Sequence, residues 1–229
     1  MILRLGLLAG DFQLDPLAAN RPALAFIAPL YQTLLRKNRF SDPPTPGLSR
    51  LPDISADGLE WRLPLLPASF DDGRRVTPRD VVHSLSRHLQ PGSPSILGPT
   101  LIGLLQRGGS LRADGTSQSL DADEPANTVV LRLSAPYPAL EELPAHPAMS
   151  IARPRPDRSI AGSGQWKVRH ASAVGAALEC ARGANKGRQH ALVAQPGVEG
   201  LARTLDQGPT CWPSTSAGLW QSRCSASSN

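Results

Sequence analysis

The chain has 229 residues and a mass of 24.3 kDa, and its 40% hydrophobic content suffices to bury the core of one large domain or two small ones. Its 23 prolines and 20 glycines predict a loop-rich fold. The formal charge of +5 comes from arginines spread along the sequence, with no basic run and no interleaved aromatic residues, so we expect a solvated surface and no nucleic-acid partner.

The cysteines and the apolar runs exclude further classes. Cys180, Cys211 and Cys224 form no C-x-x-C pair and have no histidines at zinc-site spacing, so we expect neither a disulfide framework nor a metal site. No apolar run approaches the length of about 20 residues that crosses a bilayer, so no membrane span is expected. Arg4 interrupts the briefly apolar start and no small-residue cleavage site follows, so the sequence as written shows no export signal.

The first 47 residues are predicted to form a strand, a helix and a loop. Residues 2–8 are mostly apolar and fit a buried strand that ends at polar turns at 10–11 and 15–16. Apolar residues recur at three- and four-residue steps over 23–35, which predicts a helix. The prolines of residues 41–47 predict a connecting loop.

A hairpin turn and an alternating strand follow. Asp57-Gly58 supplies a residue that tolerates positive φ, and the next seven residues alternate between apolar and other types. The apolar positions are Leu59, Trp61, Leu63 and Leu65. Pro64 cannot donate a ladder hydrogen bond, so this strand is predicted at a sheet edge or with Pro64 facing away from a partner.

The helix after this strand has a well-marked start. Thr77 stands at the N-cap, Pro78 at the first helical position and Asp80 three residues after the cap, near the positive end of the helix dipole. The predicted apolar stripe consists of Val81, Val82, Leu85 and Leu89. The residues predicted to face elsewhere are His83, Ser84, Arg87 and His88. Pro91-Gly92 is expected to end the helix.

The rest of the chain mixes strand and helix signals before its periodicity fades. Residues 108–127 are polar and turn-rich, and 128–134 are β-branched and predict a strand. Residues 135–143 predict a short helix and 149–152 a brief strand. From about residue 170 onward Ala, Gly, Ser and Arg dominate, so the tail is poorly specified by its own sequence.

No pattern in the sequence indicates catalysis. The turn at 162–164 lacks the G-x-S-x-G spacing of a nucleophile elbow, and no two histidines have the i, i+4 spacing of a helical metal pair. The carboxylate pairs at 71–72 and 141–142 are explained by turn chemistry and a solvated helix face. Residues 153–158, RPRPDR, predict an extended surface loop, with anion binding as the lesser alternative. We therefore expect no catalytic residues, no cofactor and no enzymatic activity.

Five segments in this order resemble the start of a solute-binding protein of the extracellular family 5 type, which comprises the peptide- and nickel-binding subunits of ABC importers. The segments are LDPL with IAPLYQTLL (14–17 and 27–35), residues 53–89, TVVLRLSAPYPALEEL (128–143), MSIARP (149–154) and GSGQWKV (162–168). The second segment, with its D-G-x-x-W strand and D-V-V-x-S-L helix, is the most specific. Ser163 and Gln165 replace Thr and Pro of the family's G-T-G-P-Y turn.

The resemblance implies an α/β fold, with a mixed sheet and flanking helices forming part of one lobe of a type II periplasmic-binding-protein-like fold. Residues 1–170 are assigned to this N-terminal lobe and 171–229 to the tail. The implied function is capture of an oligopeptide or other small solute in a cleft, with ABC permease subunits as partners and a periplasmic or extracytoplasmic location. The loop after the first strand corresponds to a cleft-lining segment, so Gly10, Asp11 and Phe12 are the ligand-binding candidates.

Three readings remain open at the level of the sequence. The chain is shorter than the family's members and its tail lacks their pattern, so we expect a truncated or frame-shifted form of an ABC-importer binding protein. The missing export signal suits instead a cytoplasmic ligand-sensing domain related to transcription regulators. A non-functional remnant is the third reading.

Overall fold

The structure is a computed structural model that describes residues 3–8, 14–18, 28–37, 42–157, 159–172, 175–180, 189–195, 213–214 and 221–222. The strands are β1 (Leu3–Leu8), β2 (Leu35–Arg36), β3 (Thr45–Pro46), β4 (Asp53–Ile54), β5 (Glu60–Pro64), β6 (Leu120–Asp123), β7 (Thr128–Arg132), β8 (Ala152–Pro154), β9 (Ile160–Gly162), β10 (Trp166–Ser172), β11 (Gly175–Cys180), β12 (Gln189–Gln195), β13 (Pro213–Ser214) and β14 (Gln221–Ser222). Two α-helices are described, α1 (Pro78–Ser86) and α2 (Gly98–Leu104).

Two four-stranded sheets organise the described residues. The first sheet has the order β1-β12-β11-β10, in which β1 runs parallel to β12 and the other pairs are antiparallel. The second sheet has the order β4-β5-β7-β6 and is antiparallel throughout. No helix in the described part of the chain is long and apolar enough to span a bilayer.

The second sheet carries the main core on one face. Trp61 and Leu63 of β5 are buried while Arg62 between them is exposed, which confirms the predicted alternation. Helix α1 packs on β6, β7 and β8 and buries Val81 and Val82 against this face. The sheet and the helix are therefore held together by apolar burial, each fully buried side chain contributing about 1.5–3 kcal/mol.

The other face of this sheet carries alternating charges. Arg62 donates to Glu60 and to Asp123, in each case at 3.0 Å. Arg132 pairs with Asp121 and lies 3.5 Å from Glu60. These arginines are thus neutralised by carboxylates of the same sheet, which fits a solvated face in which each pair contributes little by itself.

Helix α1 begins as predicted. The Thr77 hydroxyl accepts a hydrogen bond from the Asp80 backbone N–H at 3.3 Å, and the Asp80 carboxylate accepts one from the Thr77 N–H at 3.0 Å. This reciprocal capping box satisfies two of the N–H groups that a helix start leaves unpaired. A 3-10 turn over Arg87–Leu89 continues the helix, and the chain leaves it before the predicted stop at Pro91-Gly92.

The prediction that Ser84 and His88 face away from the core is wrong. Both side chains are buried, and the Ser84 hydroxyl accepts a hydrogen bond from the Ala152 N–H at 3.0 Å. The β8 segment covers the helix at Ser84, and His88 lies against Ser95; apolar periodicity does not reveal these contacts because polar groups form them.

Pro64 lies in an interior strand of the sheet, so the predicted edge location is wrong, and the alternative that it faces away from a partner holds only with respect to β7. The neighbouring Leu65 N–H donates to Asn127 O on the β7 side at 2.8 Å, so the Pro64 nitrogen points to the β4 side. On that side residues 48–50 run beside Pro64, and the Arg50 N–H donates to the Pro64 carbonyl at 2.9 Å, so the pairing lacks only the donor that proline does not have.

The predicted helix over residues 23–35 is not formed where the structure describes it. Ala28–Leu30 is a 3-10 turn, Gln32 bridges to Ile151, and β2 follows, while residues 23–27 lie outside the described residues. Strand β2 pairs with β3, so the predicted loop at 41–47 contains a short strand at Thr45–Pro46. The apolar residues of this segment are buried in two different clusters. Their spacing in the sequence therefore resembles that of a helix although no helix forms.

Further elements differ from the sequence prediction. The strand predicted at 149–152 is displaced to β8, and the helix predicted at 135–143 is a 3-10 turn over Leu140–Glu142. Strand β6 occurs within the polar, turn-rich sequence of residues 108–127, and helix α2 occupies residues 98–104, for which the sequence pattern predicts no element. Strands β11 and β12 continue the first sheet beyond residue 170, and the domain boundary at that residue stays a prediction.

The capping box makes a measurable contribution to stability. Thr77→Ala removes the hydroxyl acceptor and is expected to lower the free energy of unfolding by about 1 kcal/mol in urea denaturation. Thr100→Ala is the matched control, since Thr100 is exposed within α2, and it is expected to change the free energy by less than about 0.5 kcal/mol. Equal effects of the two substitutions would contradict the prediction.

Candidate functional site

The chain passes twice between the two four-stranded sheets, and the two passages contact each other. Residues 28–37 lead from the first sheet to the second, and residues 144–165 lead back. The Gln32 carbonyl accepts a hydrogen bond from the Ile151 N–H at 2.9 Å, and the Leu30 carbonyl accepts one from the Gly164 N–H at 2.9 Å. We call this paired region the crossing.

The crossing contributes side chains to two separate apolar clusters. Leu34 and Ile151 belong to the main core on the second sheet. Tyr31 and Ala152 belong to a smaller cluster that includes Leu178 of β11 in the first sheet. Adjacent residues of the crossing are therefore buried on opposite sides, and both sheets are tied to it.

Two glycines allow the passages to approach each other at backbone contact. A Cβ atom added to Gly162 would lie 2.1 Å from the Leu30 carbonyl oxygen, and one added to Gly164 would lie 2.1 Å from the Pro29 carbonyl oxygen. Real Cβ atoms do not come so close to a backbone oxygen, so only glycine fits at these positions. This is the physical reason for both glycines of the G-S-G-Q turn.

The Tyr31 side chain places a buried hydroxyl group at the crossing. Its hydroxyl donates to the Leu14 carbonyl at 2.7 Å, and it is 5% exposed. Burial raises the pKa of Tyr31 far above its usual value, and the nearby carboxylates of Asp15 and Asp71 raise it further. Asp15 itself pairs with Arg87 at the end of α1. The tyrosine is thus neutral at physiological pH and serves as a hydrogen-bond donor.

The adjacent carboxylates of Asp71 and Asp72 form ion pairs with arginines of the 153–158 segment. Arg155 bonds Asp71 and Arg153 bonds Asp72, while Arg153 also lies over the Phe70 ring with 5.1 Å to its centroid. Burial raises the pKa of Asp71, and the Arg155 charge opposes that rise. The predicted surface loop at 153–158 is in part strand β8, and its first two arginines are occupied by the chain's own carboxylates.

A cavity of about 340 Å³ opens beside the crossing. Its described lining consists of Ala28, Pro29, Tyr31, Gln32, Thr33, Arg36, Lys37, Ala145, Pro147, Ser150, Gly164 and Gln165. These residues come from both passages, so the cavity exists only because the passages are held together. Its volume lies at the lower end of the range for pockets that bind small molecules.

The polar groups of the cavity are held by defined hydrogen bonds. In the orientation of the Gln32 amide that satisfies both of its ends, its nitrogen donates to the Ser163 carbonyl at 2.9 Å and its oxygen accepts from Arg36 Nη2 at 2.6 Å. Lys37 Nζ lies 2.5 Å from a carboxylate oxygen of Glu142. The cavity therefore presents cations and amide groups on a rigid frame.

Gly10, Asp11 and Phe12 lie outside the described residues, so their role stays a prediction. Sequence patterns do not identify Gln32 or Arg36, because no repeated spacing marks them. The one available signal is the G-S-G-Q turn, which contributes Gly164 and Gln165 to the lining.

Chemically, the arrangement is suited to binding. No group of three or more His, Cys, Asp or Glu side chains in the described part of the chain is arranged to hold a metal ion. The only ionisable hydroxyl in the described lining, that of Tyr31, is committed to Leu14 and has a raised pKa. The cavity offers hydrogen bonds and positive charge to a ligand.

The chain has recognisable relatives. The model of the family described as bacterial extracellular solute-binding proteins, family 5 Middle, matches residues 43–182. No curated protein sequence matches the chain.

Several solved structures share its fold. OppA of Burkholderia pseudomallei is 17% identical with a TM-score of 0.70, and the match covers 90% of this chain and 44% of that protein. DppA from Helicobacter pylori in complex with the peptide STSA is 18% identical with a TM-score of 0.68, covering 91% and 45%. AgaA from A. tumefaciens R10 in complex with agropinic acid is 19% identical with a TM-score of 0.73, covering 91% and 42%.

These likenesses confirm the predicted fold class, a mixed α/β portion of the periplasmic-binding-protein fold. The chain spans between 42% and 45% of the length of the three proteins named. The ligands of those proteins are bound by chains more than twice as long as the part that this chain matches.

The glycine contact at the crossing can be tested with a pair of alanine substitutions. Gly164→Ala places a Cβ against the Pro29 carbonyl and is expected to lower the free energy of unfolding by about 3 kcal/mol or more, since the rigid backbone cannot yield cheaply. Gly103→Ala is the control, because nothing lies within 4 Å of its added Cβ in α2, and it is expected to raise stability by up to about 1 kcal/mol. Equal destabilisation by both substitutions would be evidence against the contact.

A second prediction concerns acid stability. His88 is buried, and its Nδ1 lies 2.5 Å from the Ser95 hydroxyl. Burial, with the neighbouring Arg87 charge, lowers the pKa of His88 to about 4, while Asp15 opposes this. The unfolded chain therefore binds the proton more readily than the folded one, so stability is retained above a pH of about 6.5 and lost as the pH falls toward 4.

The measurement is urea unfolding at pH 7.0 and at pH 4.5. Between these values the chain is expected to lose roughly 2 kcal/mol more than the His88→Gln variant, which cannot take up this proton. His83→Gln is measured in parallel as the control for a histidine-to-glutamine change at an exposed position of the same helix. An unaltered pH dependence in His88→Gln would refute the assignment.

Proposed function

Because the chain belongs to family 5 of the bacterial extracellular solute-binding proteins, we propose that it forms part of the solute-binding component of an ABC importer for oligopeptide-type solutes. The family match extends over more than half of the chain and confirms the resemblance seen in its sequence motifs. That membership supports a solute-binding role. Binding by this chain, import, the oligopeptide class and the permease partners together form the proposal.

The observation that carries the proposal is the cavity at the crossing. It has a volume of about 340 Å³ and is lined by main-chain segments, two glutamines and small apolar residues. Such a mixture of apolar surface with a few fixed polar groups is typical of small-molecule sites. It is well matched to a short peptide, which presents amide groups at regular intervals along an apolar chain.

The structural neighbours support the oligopeptide class. DppA of Helicobacter pylori is described with a bound peptide, and MppA, at a TM-score of 0.72, is described as a murein tripeptide-binding protein. AgaA, with its agropinic acid, shows that a protein with this fold can also hold another small acid. At 18–19% sequence identity, these proteins support the proposal at the level of a solute class.

The proposed protein acts outside the cytoplasm, where a family 5 binding protein delivers its solute to ABC permease subunits. In a protein of the neighbours' length, a second lobe would face the cavity and close over the solute. One wall contacts a ligand on one side only, so we expect the chain studied alone to bind weakly and reversibly. This expected weakness decides how the proposal is tested.

The test is ligand-dependent stabilisation of the full chain. Unfolding is followed in urea with increasing concentrations of trialanine, and at ten times the dissociation constant the free energy of unfolding is expected to rise by about 1.4 kcal/mol. Gln165→Trp places a large side chain in the cavity from an exposed position and should abolish this gain. Gln106→Trp, at an exposed position that is not in the cavity lining, is the matched control and should keep it.

Two results would count against the proposal. One is an unchanged free energy of unfolding up to the solubility limit of the peptide. The other is an equal gain in the chain and in Gln165→Trp, which would place the peptide at a different surface.

A further inference from the structure

We propose that the cavity selects solutes with a free carboxylate, and that the Arg36 guanidinium is the group that binds it. The inference rests on the proposed function, since it concerns the same cavity and names the chemical group by which a solute is recognised. It arises from the charge balance of the lining and from the contacts of two side chains, Gln32 and Arg36.

The described lining has two cations and no carboxylate. Arg36 and Lys37 both contribute to the cavity wall, whereas none of its described lining residues is Asp or Glu. Lys37 is paired with Glu142, which neutralises its charge. The positive charge left at the cavity is that of Arg36.

Arg36 has no acidic partner in the described part of the chain. The other arginines of the crossing differ in this respect, because Arg153 and Arg155 both pair with carboxylates. Arg36 is exposed, and its one described side-chain contact is the hydrogen bond from Nη2 to the Gln32 oxygen at 2.6 Å. A guanidinium has five N–H donors, so most of them are available to a ligand.

Gln32 fixes the direction of this guanidinium. Its backbone carbonyl accepts from Ile151, its amide nitrogen donates to the Ser163 carbonyl, and its amide oxygen receives Arg36. The glutamine is therefore held by both passages of the crossing and can hold the arginine in turn. A guanidinium that is already oriented loses less conformational entropy when it binds a ligand.

A carboxylate is the anion that fits this arrangement. The guanidinium fork matches the two oxygens of a carboxylate in a pair of parallel hydrogen bonds. The wall beside it is apolar, with Ala28, Pro29, Ala145 and Pro147, and suits the uncharged body of a small solute. A phosphate dianion in the same place would keep one charge without a partner, which is costly in a partly enclosed site.

The experiment compares trialanine with its C-terminal amide by chemical-shift titration of the full chain. The free acid is expected to bind at least about tenfold more tightly than the amide, because only the acid makes the paired charged hydrogen bonds. Arg36→Gln should bind both peptides equally, at the affinity that the unaltered chain has for the amide. Arg36→Lys should keep a preference for the acid that is smaller, since lysine retains the charge and loses the fork.

Arg50→Gln is the matched control, because Arg50 is exposed, lies outside the cavity lining and has no ion pair in the described part of the chain. It should bind trialanine and its C-terminal amide with the affinities of the unaltered chain. Urea unfolding of each variant shows that the exposed substitutions leave the fold intact.

The outcomes separate the two proposals. If acid and amide bind the unaltered chain equally, the carboxylate inference fails and peptide binding stands. If neither binds, the proposed function fails and the inference with it. If Arg36→Gln still prefers the acid, or if inorganic phosphate displaces the acid at equal concentration, the assignment of a carboxylate to Arg36 is overturned.

Discussion

The architecture depends on one close contact between backbone atoms. At Gly162 and Gly164 the returning passage of the crossing lies directly against the carbonyl oxygens of residues 29 and 30, with no room for a side chain. The hydrogen bond from the Gly164 N–H to the Leu30 carbonyl stabilises this contact. Because each passage is joined to both sheets, this contact sets how the two apolar clusters are placed. The cavity wall is a consequence, since residues of both passages form it.

Sequence patterns predict the parts of this fold that depend on neighbours along the chain. The capping box of α1 and the alternation of β5 are set by residues within a few positions of each other, and both appear where the sequence places them. The crossing is different, because Leu30 and Gly164 are distant in sequence and no local spacing reports their contact. For this reason the spacing of apolar residues over 23–35 predicts a helix, which the described part of that segment does not form. Their burial is real, but two different neighbours supply it.

The same distinction explains the site. The family motif directs attention to the G-S-G-Q turn, and that turn does reach the cavity through Gly164 and Gln165. Arg36 carries no motif, and its significance depends on which arginines find acidic partners in the folded chain. Asp71 and Asp72 likewise look like turn residues in the sequence, and only the structure joins them to Arg155 and Arg153. Charge pairing depends on the tertiary structure. The composition therefore gives the number of charges but does not show that Arg36 is the arginine without an acidic partner in the described part of the chain.

The short strand β4 protects one border of the second sheet. It supplies only two paired residues, and residues 48–50 continue the cover along β5, where Arg50 donates to the Pro64 carbonyl and Leu66 donates to the Leu48 carbonyl. A foreign strand that approached this side would meet a two-residue strand beside an irregular segment, which offers no long row of donors and acceptors for pairing. The opposite border, at β6, is followed by the exposed Glu124, whose charge opposes close approach of a like edge. The sheet can thus remain solvated on its charged face without pairing edge to edge with strands of other chains.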